Sequence, residues 1–446
     1  MKEWLTMSAA ALGRGIATEE IDPRALAETC LDAIANDPEF ERIYARVTPA
    51  RARAEAAAAA ERAREGVRRG PLDGVPISYK DLFDTAGVET EAGSRLLAGR
   101  LPTRDAACVA ALTQAGMVCL GKTHMSELAF SGLGVNPMAA TPPNRHDRHA
   151  APGGSSSGAA ASVALGLAPV GLGSDTGGSV RIPAAWNDLV GLKTTHGLIS
   201  NDGIVPLAPS LDTVGPLTRT VEDAALALAA LTGHPAPDLA GATLAGAAFL
   251  VPTTTVLEAL SPEIARAFDA ALGRLSDAGA RIDRAEVPEF AETLEVAARD
   301  GAVVNTEGYA VWGEAIEARP DAIFPQIRER FRSGRAFRAD QIDRARLAFA
   351  RLSRSVVARM APYDAMLFPT TPNTPPPVER LLAEEEFYVA QNLLALRNTR
   401  LGNLLGLSGL TLPAGAPWAG LLFTGRPFEE ARLLRLGAAA EAALAA

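Results

Sequence analysis

The chain has 446 residues, 48% of them hydrophobic and 21% charged, with a formal net charge of −9. That length and balance suit a soluble globular protein with a large core. An acidic chain without a basic stripe argues against direct nucleic-acid binding, and no apolar run of the length a membrane span needs is present.

Residues 1–67 read as a helical scaffold. A helix starts at Asp22-Pro23 and runs to about Asn36, and an Ala/Arg/Glu-rich helix covers 49–68. The opening MKEWLTMSAAALGRG is too short and too polar for a secretory signal, so a cytoplasmic protein is expected. Cys30, Cys108 and Cys119 have no metal-ligand spacing and read as buried free thiols, which fits a reducing compartment.

From Pro71 the pattern changes. VPISYK (75–80) and MVCLGK (117–122) are strand-like, with a helix over 104–115 between them and another near Glu127. A Pro/Asn/His-rich loop (136–152) then feeds a small apolar helix (158–167) and a short strand (168–173). Strand 189–193 follows, then a loop over 211–217 and a helix over 220–231 capped by Thr220. A further strand–helix–strand unit spans 244–251, 262–279 and 281–287. Helices are expected over 289–318, 339–361 and 392–405, strands at 364–368 and 421–424, and a last helix from Glu429. The arginines of 328–338 read as a solvated helix face and TPNTPPP (371–377) as a surface loop. Strands alternating with helices argue an α/β fold whose parallel or mixed sheet is covered on both faces.

Two motif matches are out of context. GMVCLGKT (116–123) fits a phosphate-binding loop, but its middle is a strand and no glycine loop opens a helix. GSSSG (154–158) fits a nucleophile elbow centred on Ser156, but a loop rather than a strand precedes it. None of the five histidines has a triad context or metal-ligand spacing, so a Ser-His-Asp hydrolase is a weak rival.

What survives is a pair of Gly/Ser loops. Ser155 and Ser179 lie 24 positions apart, joined by a helix and a strand of similar length that return the chain to its starting edge. Consecutive small residues in SDTGGS (174–179) can aim several backbone N–H groups at one anion, although a plain glycine turn or a phosphate cradle would read the same way. A serine nucleophile needs a base. Only four of the 43 basic residues are lysines (Lys2, Lys80, Lys122 and Lys193), and Lys80 ends a hydrophobic strand where burial would leave its amine neutral near pH 7. The rival role for Lys80 is a salt bridge to Asp81 or Asp84.

The motifs PLDGVPISYKD (71–81), PGGSSSG (152–158), GSDTGGSVRIPA (173–184), GLKTTHGLIS (191–200) and SLDTVGPLTRTVEDAA (210–225), with GKTHMSELAF (121–130), resemble those of the amidase-signature enzymes. These are serine hydrolases with a Ser–cis-Ser–Lys triad. The resemblance covers about residues 20–440 and is loosest over 235–390. It implies one α/β/α sandwich with a central mixed sheet, composed of a helical scaffold (1–67), a signature core (71–225) and a second part of the sheet with the substrate pocket (235–446). It also implies that Ser179 is the nucleophile, Ser155 the relay after a cis peptide bond and Lys80 the base. Thr176, Gly177, Gly178 and Ser179 would supply the oxyanion-hole N–H groups, with Ser156, Asp175 and Arg181 in support.

The implied substrate is a small-molecule amide, with no metal, no cofactor, no membrane and no nucleic acid involved; a homodimer is left open. Ser157 and Ala159 replace the usual glycine and serine, and the 412–425 segment is compressed. Two rivals remain: the A subunit of a glutamine-dependent tRNA amidotransferase, and a catalytically silent binding or scaffold protein. Specificity is expected from the 124–150 loop and the 290–400 region, where Tyr309, Trp312 and Phe387 are either pocket lining or core. Arg181 either meets a substrate carboxylate or pairs with Asp175 or Asp188.

Overall fold

Short apolar runs rich in Val, Ile and Leu form most of the inner strands, and their burial on both faces explains why they lack polar alternation; the edge strands YARV (44–47) and RIDRA (281–285) are more polar and only partly buried. The computed structural model describes residues 2–301 and 303–445. The strands are β1 (Tyr44–Val47), β2 (Pro76–Lys80), β3 (Val118–Thr123), β4 (Val170–Asp175), β5 (Val190–Lys193), β6 (Thr213–Thr218), β7 (Ala248–Pro252), β8 (Arg281–Ala285), β9 (Ala365–Pro369), β10 (Ser408–Pro413) and β11 (Gly420–Gly425). They make one 11-stranded mixed sheet in the order β1-β3-β2-β4-β6-β5-β10-β11-β9-β7-β8. The β3-β2-β4 and β9-β7-β8 neighbours are parallel and the other pairs antiparallel. Helices flank the sheet, as expected for the α/β class.

Helices Pro23–Asn36 and Val221–Thr232 fall where the sequence places them, the second capped by Thr220 Oγ1, which accepts from Asp223 N–H. The three cysteines are free and buried. No helix among the described residues is long and apolar enough to cross a membrane.

Several local expectations are corrected. The N-terminal stretch is not wholly helical, because β1 pairs with β3 at the sheet edge. Residues 211–217 are not a loop: β6 runs through them in the middle of the sheet, although Pro216 lacks an N–H to donate. The turn at Glu127–Ala129 is a single 3-10 turn. The helix expected over 392–405 is two, Glu385–Leu396 and Thr399–Leu404. The segment 371–377 is largely buried rather than a surface loop, since Trp186 Nε1 donates to Thr371 Oγ1 and the Pro376 carbonyl accepts from Ala151 N–H.

Candidate active site

The site sits where β2 and β4, parallel neighbours, both end. All five residues of β2 are buried, so Lys80 arrives at that edge with its side chain fully out of water. Its Nζ lies 2.6 Å from Ser155 Oγ and 2.8 Å from Ser174 Oγ. Burial brings the amine down to about 7, while the charges of Asp175 and Asp212 act in the opposite direction. The salt bridges to Asp81 and Asp84 do not form: Asp84 takes Arg100 and Asp81 takes Lys122.

The Gly154–Ser155 peptide bond is cis. Gly154 N–H donates to the Gly132 carbonyl, and the Ser155 carbonyl accepts from Ser126 N–H. Ser156 N–H donates to the Ser179 carbonyl at 3.1 Å, so the two serine loops meet directly. Ser156 Oγ donates to the Ser174 carbonyl at 3.2 Å, a stitching role. Gly173 permits this contact, because a Cβ there would stand 2.6 Å from Ser156 Oγ. Ser157 opens the helix Ser157–Ala164 with a buried hydroxyl that has no hydrogen-bond partner, and Ala159 packs against Gly171 of β4.

The second loop folds around Asp175. Its carboxylate accepts from Gly178 N–H at 2.8 Å and Val180 N–H at 3.1 Å. It also accepts from Arg181 Nε and Nη2 at 3.0 and 2.9 Å, and from Asn403 Nδ2 at 2.9 Å. The Arg181 guanidinium and these donors overcome burial and hold the carboxyl well below the usual range. Arg181 therefore pairs with Asp175. Gly178 N–H is also committed to Asp175, which removes it from the set of anion donors expected from sequence. The N–H groups of Thr176, Gly177 and Ser179 make no hydrogen bond among the described residues. Gly178 must be glycine: its φ is +139°, and a Cβ would lie 2.1 Å from Thr399 Oγ1.

Ser179 precedes the helix Arg181–Trp186, and its hydroxyl makes no hydrogen bond among the described residues. Next to it, Thr176 Oγ1 donates to Asp212 Oδ1 at 2.5 Å. Burial pushes the Asp212 carboxyl up to about 6, against the pull of that hydroxyl and of the Leu207 and Ala208 N–H groups.

Ser179, Thr176 and Gly177 open on a cavity of about 80 Å³, which Ser131, Leu207, Val303 and Leu396 also line. A larger cleft of about 580 Å³, between residues 69–72 and 229–236, shares no residue with the serine site. No histidine lines the serine cavity; His124 is half-buried and desolvation drives it down to about 4, and His146 pairs with Asp188. Tyr309, Trp312 and Phe387 lie outside the lining: Tyr309 carries Arg335, Trp312 Nε1 donates to the Pro206 carbonyl, and Phe387 stacks under Arg380.

Sequence reading missed four groups that build the site. Ser174 is the second hydroxyl on Lys80 and stands inside a quoted motif, so the signal was there. Asp212, also within a quoted motif, is the partner of Thr176. Arg330 and Arg400 line the cavity, and Arg330 corrects the reading of 328–338 as a solvated helix face. Their positions follow from long-range packing and carry no local signature.

A family model described as Amidase matches residues 25–434. The chain is 37% identical over 433 residues to the 2-amino-5-chloromuconic acid deaminase of Comamonas testosteroni, covering 95% of this chain and 93% of that protein. It is 33% identical over 471 residues to the A subunit of the glutamyl-tRNA(Gln) amidotransferase of Chloroflexus aggregans, covering 97% and 95%. A solved crystal structure of an amidase superposes with a TM-score of 0.87 at 32% identity, covering 98% of this chain and 99% of the other. With a signature match across nearly its whole length, a shared fold and full-length relatives, the chain belongs to the amidase family and is a hydrolase acting on carbon–nitrogen amide bonds.

Proposed function

We propose that Ser179 attacks the carbonyl carbon of a small carboxamide while its proton passes to Ser155 Oγ and the Ser155 proton passes to neutral Lys80 Nζ. The observation that carries this is the 2.6 Å approach of Lys80 to Ser155, stitched through Ser156 to the loop of Ser179. The oxyanion falls to the uncommitted N–H groups of Thr176, Gly177 and Ser179. Collapse breaks the C–N bond, and the proton returns from Lys80 through Ser155 to the departing amine. Water then attacks the acyl ester with the same base and frees Ser179 and the carboxylic acid. Asp175 and Arg181 shape the loop, and Ser156 fixes the distance between the loops.

The test is to treat the chain with a phosphonylating serine reagent and locate the added mass. Label on Ser179 that disappears in Ser179→Ala supports the mechanism; absence of label at every pH overturns it.

The full-length likeness to an amidotransferase A subunit supports a second reading, in which the chain releases ammonia from glutamine beside partner subunits. Kinetics on a panel of amides, with glutamine among them, separates the two. Three buried free thiols support a cytoplasmic setting, and the unbroken sheet from β1 to β8 supports a single domain.

A further inference from the structure

We propose that the cavity beside Ser179 selects amides whose acyl part ends in a free carboxylate, received by Arg400 and Arg330. The inference rests on Ser179 being the nucleophile and adds the class of substrate.

Arg400 is placed by the nucleophile loop itself. Thr399 Oγ1 donates to the Gly177 carbonyl at 2.7 Å, docking the helix Thr399–Leu404 on that loop. Arg400 Cβ then stands 3.9 Å from where a Cβ on Gly177 would be, and the Arg400 Nε is buried without a hydrogen-bond partner. Arg330 comes from the helix Pro325–Arg332 on the other wall. Its guanidinium carbon is 4.3 Å from the centre of the Phe130 ring, and one Nη1–H donates to the Phe130 carbonyl at 3.0 Å.

Neither guanidinium is paired with a carboxylate among the described residues. Arg330 feels the Arg400 cation beside a Tyr388 hydroxyl that burial keeps neutral, and Arg400 feels the Arg397 cation. Arg181 supplies the contrast. It is more deeply buried than either, and there Asp175 grips it with both oxygens and Asn403 adds a third bond. At Arg181 the fold provides the counter-ion. Holding a partly buried cation without one is unfavourable, so an anion that fits between Arg330 and Arg400 is favoured. A planar guanidinium fork matches a carboxylate best.

The remaining lining narrows the class. No Asp or Glu is among the described lining residues, so nothing there would receive the ammonium of an α-amino acid. Leu207, Val303 and Leu396 offer an apolar stretch for a hydrocarbon spacer, and a cavity of about 80 Å³ favours a short one. The fitting substrate is a monoamide of a short dicarboxylic acid.

The experiment compares kcat/KM of the full chain on succinic, glutaric and adipic monoamides with butanamide, pentanamide and hexanamide. The same preparation is labelled with the phosphonylating reagent. The acidic partner of at least one pair is expected to be favoured about tenfold to a hundredfold, the effect of hydrogen bonds to a charged group. Arg400→Gln and Arg330→Gln should each shrink that acid-to-neutral ratio by about tenfold, mainly through KM, with partial recovery in Arg400→Lys. Labelled Ser179 with equal rates on acidic and neutral amides overturns the carboxylate assignment alone. No label on Ser179 overturns the mechanism and this assignment together. The wild-type comparison stands even if a variant fails to fold.

Discussion

Lys80 and Lys122 stand on neighbouring parallel strands, both fully buried, in surroundings of different kinds. Lys122 Nζ meets the Asp81 carboxylate at 3.2 Å and donates to Thr90 Oγ1 at 2.8 Å. Lys80 Nζ meets two serine hydroxyls and no carboxylate. Burial lowers both amines, but Asp81 in contact works to keep Lys122 charged, whereas for Lys80 the nearest carboxylates act only at a distance. The difference teaches what separates a base from a tie. Equal burial produces an ion pair where a counter-ion touches the amine, and a free lone pair where only hydroxyls do. Lys193 is a third case: it donates to the carbonyls of Leu407 and Thr194 and joins β5 to the segment before β10.

The largest effect expected is on turnover. Ser179→Ala should cut kcat by about 10⁴-fold or more, and Lys80→Ala by about 10²–10⁴-fold, in steady-state amide hydrolysis. Lys122→Met should leave turnover per folded molecule within about threefold, since Lys122 touches neither serine loop. A loss from Lys122→Met as deep as that from Lys80→Ala would break the comparison.

The second effect is on stability. Lys122→Met strands the buried Asp81 carboxylate and should lower unfolding free energy in a denaturant titration by about 3–5 kcal/mol. Lys80→Met leaves only hydroxyls behind and should lower it far less.

The third is pH dependence. Lys80 must be neutral to act, so kcat/KM on a neutral amide should rise with pH through a limb near 7. The sign for stability follows from the same shift. Below about 7 the amine is protonated in both states; from there to the ordinary 10.5 only the unfolded chain binds the proton, so stability rises with pH across that window. Lys193, also brought to about 7, contributes in the same direction. Lys80→Met should flatten part of that rise in unfolding curves measured from pH 7 to 10, and an unchanged rise would sink the assignment.

The smallest expected effect is Ser174→Ala, about tenfold in kcat, with the pH limb moved to lower pH because a hydroxyl that accepts from the charged amine is gone. Ser174→Thr should restore most of it.

Much of the site was legible because its residues lie in short contiguous motifs. Lys80, Ser155 and Ser179 each stand in such a motif, and Asp175, six positions before Arg181, was among the partners weighed for it. The central strand β6 was not, because Gly215-Pro216 reads as a breaker, while its position between β4 and β5 is imposed by burial and by neighbours that supply the ladder. Which N–H groups of the nucleophile loop are free was equally hidden, since the commitment of Gly178 depends on where the Asp175 side chain turns.

By itself, the sequence determined the class of the fold, many of its elements, the two serine loops and a lysine at the end of a buried strand. Local propensity and spacing suffice for these, because each is a property of a few consecutive residues. Tertiary structure alone decided that Lys80 faces hydroxyls and Lys122 a carboxylate, and that two arginines from distant helices share one small cavity with Ser179. Those outcomes rest on desolvation and on the presence or absence of a counter-ion, which are set by packing between segments tens to hundreds of positions apart.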